Sequence, residues 1–165
     1  MSNLVGFPRE VNEKAARSVA GGVVVLAVLA LVTGWRWVPV VMAIGFALRV
    51  LAGPRFSPLG QLATRVIAPR LGTPKIVPGP PKRFAQAIGF LFTTAASVAA
   101  IGFGATVVAA VLMGVLLAFA LLESVVGFCA GCYVFGWLMR WGVIPADTCE
   151  ACNNVQLRLA QATAR

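Results

Sequence analysis

The residues best equipped for chemistry are four cysteines, all within the last thirty-seven positions of a 165-residue chain. Cys129-Ala130-Gly131-Cys132 and Cys149-Glu150-Ala151-Cys152 are two CxxC pairs with sixteen residues between them. That separation falls inside the C-x₂-C-x₁₅₋₂₀-C-x₂-C window for zinc, whose four thiolates would form a closed tetrahedral site. The same spacing is the dithiol of redox proteins, in which one sulfur with a lowered pKa attacks and its neighbour resolves. Both chemistries assign Cys129, Cys132, Cys149 and Cys152: as catalytic thiols needing no cofactor in the redox reading, as zinc ligands in the other. A plainer reading has the cysteines as small buried residues, which suits a lone cysteine better than two matching motifs.

Other chemistries are excluded by composition. The chain has no histidine, which removes Ser-His-Asp and Cys-His catalysis, histidine-ligated haem and mixed Cys/His zinc sites. The acids are Glu10, Glu13, Glu123, Asp147 and Glu150, and the first two sit in a polar N-terminal arm, so a glycosidase-type carboxylate pair is not expected. No Walker-type or dinucleotide-binding glycine fingerprint occurs. Glu123 is the only charge between Arg83 and Arg140; intramembrane carboxylates tend to be functional, although this one also suits a headgroup-level acid closing a span. In a continuous helix it would lie off the face of either Cys129 or Cys132.

The elements that position these residues are membrane helices. The chain is 59% hydrophobic and 12% charged, against about 45–50% and about 25% in soluble domains. Its net charge of +9 sits in clusters between uncharged runs, which argues against a nucleic-acid binder and for basic loops beside a lipid bilayer. Ser18 to Trp35 is a first span, Trp37 to about Gly53 a second with Arg49 snorkelling from its far end, and the uncharged stretch Phe84 to Leu122 supplies two more joined at Gly102-Phe103-Gly104. The expected organisation is an N-terminal arm (1–17), a first transmembrane hairpin (18–53), a basic proline-rich loop (54–83), a second hairpin (84–127) and a cysteine-bearing tail (128–165). Lys and Arg concentrate in the arm and the middle loop, so both termini and that loop are expected on the cytoplasmic side. A fifth span over Ser124 to Met139 is the rival and would put the tail outside.

Local patterns add detail. Leu59, Leu62, Val66 and Ile67 recur at helical spacing, so Pro58 to Arg70 reads as a short interfacial helix. Gly72 to Lys82, with Pro74, Pro78, Pro80 and Pro81, reads as an extended linker. The last span ends near Gly127, and a helix restarting there would put Cys129 near its N-terminus, where amide dipoles favour thiolate. Asp147 and Glu150 fit an N-cap and its N3 partner, placing Cys149 and Cys152 in another first turn. The predicted fold is therefore an all-α membrane protein, a four-transmembrane-helix bundle with cytoplasmic interfacial helices.

Three segments, Arg55-Phe56-Ser57-Pro58, Pro80-Pro81-Lys82-Arg83-Phe84-Ala85 and Gly127-Phe128-Cys129-Ala130-Gly131-Cys132-Tyr133, carry a resemblance. The chain resembles an uncharacterised family of small four-span membrane proteins best known from actinobacteria, with a Phe-Cys-x-Gly-Cys motif after the last span. The resemblance implies a bacterial cytoplasmic membrane location and makes Cys129 and Cys132 the signature positions. It also implies a gene neighbourhood of thioredoxin-like and sulfurtransferase proteins. The leading expectation is a membrane-anchored dithiol that exchanges disulfides or carries sulfur with such a partner. The alternative is a non-enzymatic scaffold whose tail is clamped by zinc; a small transporter is a third possibility, without a visible broken-helix ion site.

Overall fold

The computed structural model describes residues 9–145 and 148. Strand β1 (Glu10–Asn12) leads into helix α1 (Glu13–Thr33), and α2 (Val38–Ala52) returns. A 3-10 turn (Gly53–Arg55) and the short helices α3 (Pro58–Leu62) and α4 (Ala68–Arg70), joined by a π turn, follow. Strand β2 (Ile76–Pro78) then enters α5 (Gly79–Ser97), and α6 (Thr106–Leu121) and α7 (Ala130–Arg140) complete the described chain. Four helical stretches are long and apolar enough to cross a membrane: Glu13–Thr33, Val38–Arg70, Gly79–Gly102 and Thr106–Val126. Among the described residues α7 is not a fifth; its 11 residues rise only about 16 Å, roughly half a hydrocarbon core.

Small residues set the packing. The buried positions of α1 are Ala15, Val19, Ala20, Val23, Ala27 and Ala30, a stripe mostly at spacings of three and four that lets neighbouring helices approach closely. In lipid this contact, rather than apolar burial, drives helix association. Met42, Phe46, Ala96, Met113 and Leu116 fill the centre, while Val25, Val32, Val41, Val107 and Val111 face outward, as expected where the solvent is hydrocarbon.

The helix ends are individually specified. Asn12 caps α1 by accepting the Lys14 amide at 3.0 Å, which satisfies one orphan donor of the first turn. Pro39 lies in the first turn of α2, where a missing N–H costs nothing. The same rule revises the proline-rich linker. Ile76–Pro78 is extended and pairs antiparallel with Glu10–Asn12, but Gly79, Pro80, Pro81 and Lys82 already belong to α5, with the prolines in its first turn. Helix α1 likewise starts at Glu13, five residues before the uncharged run. The two strands are fastened by Glu13 N–H donating to the Lys75 carbonyl at 2.7 Å and by a Lys75–Glu13 ion pair at 2.6 Å.

Of two further expectations, one holds and one changes. The helix expected over 58–70 is present; it buries Gly60, Ala63 and Ala68 and leaves Leu62 and Val66 exposed, so its small face makes the close approach to the bundle. Arg49 does not snorkel outward. It is 5% exposed, because its Nε donates to Gln86 Oε1 at 2.7 Å, its Nη1 to Ser57 Oγ at 3.1 Å, and its guanidinium lies 4.5 Å from the Phe46 ring centroid.

Candidate functional site

The chemistry-bearing residues meet at one end of the bundle, where α1 and α5 begin and α6 ends. Helix α6 widens into a π turn over Leu122–Val126 and stops at Gly127, whose φ of 78° lies in the left-handed region that only glycine adopts at little cost. The terminal carbonyls are not left bare. Arg17 of α1 donates from Nε to Ser124 O at 3.1 Å and from Nη2 to Val125 O at 2.6 Å. The chain then turns through Phe128 and restarts as α7.

Cys129 is the N-cap of α7, in extended conformation, and Cys132 lies in the first turn. The two free cysteines are 2.8 Å apart. Cys129 is buried and Cys132 half-buried. The anticipated break at Gly127 thus puts the first CxxC where unpaired amides of a helix N-terminus point at a sulfur. Gly131 is required for that placement: a Cβ there would fall 2.7 Å from Ala85 Cα and 2.6 Å from Ala85 Cβ. Only glycine lets α7 press onto α5 with its cysteines turned inward. Phe84 and Phe135, with ring centroids 5.7 Å apart, continue the contact. On the other side of α7, Tyr133, Trp137 and Trp141 form an exposed aromatic row with centroids 6.0 and 5.3 Å apart.

Beneath the cysteines lies an ion pair that the sequence does not announce. Lys82 Nζ is 2.6 Å from Glu123 Oε1, with side-chain exposures of 9% and 15%. Lys82 reads in sequence as one more basic loop residue; its nearness to the apolar run at Phe84 is the only hint, and its partner is 41 positions away. Because α6 breaks at Gly127, Glu123 also escapes the geometry of a continuous helix and acts electrostatically on both cysteines.

The result is a polarised pair. The hydrogen bond from Cys132 holds the Cys129 thiol below the ordinary thiol value; burial and Glu123 oppose this, and Lys82 reinforces it. Cys132 is pushed far up by that same hydrogen bond, by burial and by the neighbouring Cys129 charge. One sulfur is disposed to be thiolate and the other to keep its proton. Cys129 and Glu123 also face a cavity of about 230 Å³, whose walls include Val19, Phe46, Leu116 and Val134. Cys149 and Cys152 lie outside the described residues, as does the Asp147–Glu150 cap. No group of three or more metal-ligating Cys, Asp or Glu occurs among the described residues.

An apolar bundle of four membrane-crossing helices with a dithiol at the start of a following helix defines an integral membrane protein of the four-span type. More particularly, residues 11–140 match the family described as domain of unknown function DUF4395, and the chain belongs to that family. The match takes in Cys129 and Cys132 and ends before Cys149 and Cys152. No curated protein and no solved structure matched the chain.

Proposed function

We propose that this protein is a membrane-anchored dithiol that exchanges disulfides, or passes sulfur, with a thioredoxin-like or sulfurtransferase partner. The observation that carries the reading is the seating of Cys129 at the N-cap of α7, 2.8 Å from Cys132 and beside Lys82. In the exchange, the Cys129 thiolate attacks one sulfur of a partner disulfide and expels the other as thiolate. Cys132 then loses its proton and attacks the Cys129 sulfur, releasing the partner reduced and leaving a Cys129–Cys132 disulfide. Two electrons pass to the partner, and a second dithiol protein returns them. Cys149 and Cys152 form a second pair for the same exchange.

The family resemblance implies a bacterial cytoplasmic membrane location, loop charge favours both termini on the cytoplasmic side, and the exposed row Tyr133, Trp137 and Trp141 suits an interfacial α7. The test is covalent trapping. Cys132→Ser accumulates a mixed disulfide with a thioredoxin-like protein, and the Cys129→Ser/Cys132→Ser double variant does not. Metal analysis of anaerobically purified protein runs beside it. Bound zinc lost equally in Cys129, Cys132, Cys149 and Cys152 variants, with no adduct in any, replaces the redox reading with the four-thiolate scaffold.

A further inference from the structure

A second cavity, of about 170 Å³, neighbours the one beside the dithiol. Its walls include Asn12, Arg49, Thr64, Lys82 and Gln86, with Glu10 of β1 also present. Val19 and Gln86 line both cavities, so the two spaces share a wall.

The group that demands explanation is Arg49. It is 5% exposed, and its nearest polar partners, Gln86 and Ser57, are neutral. Among the described residues no carboxylate lies within ion-pair distance of it, and Glu123 is engaged with Lys82. Glu10 is exposed and pairs with neither cation. Among the described residues the hydrogen bonds of Arg49 use Nε and Nη1, which leaves Nη2 donors for a ligand in the cavity that Arg49 lines. A buried cation without a counter-charge is strongly disfavoured, and ionisable groups retained within membrane segments mark binding or transport sites. The planar guanidinium fork matches tetrahedral oxyanions in a bidentate way that a lysine cannot.

We propose that Arg49, oriented by Gln86 and Ser57 and assisted by Asn12, binds a tetrahedral oxyanion, the phosphate or sulfate group of a small solute or of a lipid headgroup. The guanidinium supplies the fork and the charge, since Lys82 in the same wall is balanced by Glu123, and the Asn12 side-chain amide supplies a further donor, since its carbonyl is already engaged by the Lys14 amide. The cavity is below the roughly 300–1,000 Å³ that encloses drug-sized ligands, a scale suited to one such group. The site stands independently of the disulfide exchange, although Lys82 neighbours both.

The test uses the full chain in zwitterionic phosphatidylcholine nanodiscs. Thermal unfolding is followed with sulfate or phosphate against chloride of equal ionic strength, and separately with phosphatidylglycerol added to the discs. A saturating oxyanion raises Tm by about 5 °C, and Arg49→Gln abolishes the rise. A response to the free anions assigns a soluble ligand, and a response to phosphatidylglycerol alone assigns a lipid phosphate. As a readout that needs no variant, phenylglyoxal modification of Arg49 in the wild-type chain slows when the responding anion is present, while that of exposed Arg55 does not. An equal Tm rise in Arg49→Gln, or neither a rise nor protection of Arg49 with any of the three probes, overturns the proposal.

Discussion

Lys82 Nζ sits 2.6 Å from Glu123 Oε1 and joins the first turn of α5 to the last turn of α6 directly beneath the CxxC. This pair connects the two levels of the molecule. It holds two membrane helices at one end and sets the charge balance felt by both sulfurs.

Breaking the pair from one side leaves a largely buried charge alone. Lys82→Met or Glu123→Gln costs about 3–5 kcal/mol of stability, read by denaturation in detergent. The double variant recovers most of the loss, because no unpaired charge remains. Equal and additive losses in a double-mutant cycle would mean that the two groups do not interact.

Thiol reactivity should follow the polarisation of the dithiol. The thiolate is the nucleophile, so a pKa held below the ordinary 9.0 makes Cys129 alkylate with iodoacetamide at a pH where a free cysteine is still protonated. Cys132, pushed up, reacts only at higher pH. Lys82 lowers the Cys129 pKa and Glu123 raises it. Removing the Lys82 charge therefore moves the Cys129 midpoint to higher pH, and removing the Glu123 charge moves it to lower pH. Cys132→Ala removes the largest cause of the depression and moves the midpoint up. Rate–pH profiles with mass mapping of each cysteine measure all three.

Two glycines of α7 should respond in opposite directions. Gly131→Ala drives a methyl group into the Ala85 backbone and costs about 1–3 kcal/mol, with α7 displaced from α5. Gly136 has nothing within 4 Å of its missing Cβ and lies within the same helix, so Gly136→Ala gains up to about 1 kcal/mol from helix propensity. Thermal denaturation of the two variants, with cysteine accessibility as a second readout, checks the contrast.

Topology is tested by labelling. Lys75, whose side chain is 60% exposed, and Arg165 are replaced singly by cysteine in a background whose native cysteines are serine. Both positions should react with impermeant maleimide only from the cytoplasmic side. Labelling at Arg165 from the outside alone would put Cys149 and Cys152 in an oxidising compartment.

The order of residues by itself determined what depends on neighbours in sequence. The four spans follow from local runs of apolar residues, since the cost of placing a charge in hydrocarbon is felt position by position. The break at Gly127 and the placing of Cys129 at a helix start follow from glycine's freedom at positive φ. Other local signals were outweighed by geometry: Pro80 and Pro81 read as linker residues, yet a first helical turn accepts them. Tertiary structure alone decided the environment of the dithiol and the inward course of Arg49. Lys82 and Glu123 are 41 positions apart, Arg17 and Ser124 are 107 apart, and Arg49 and Gln86 are 37 apart. No periodicity encodes those meetings. They arise because small residues such as Gly131 and the alanines of α1 let helices approach closely, and a long cation brought into that low-dielectric space takes whichever partner the packing puts within reach.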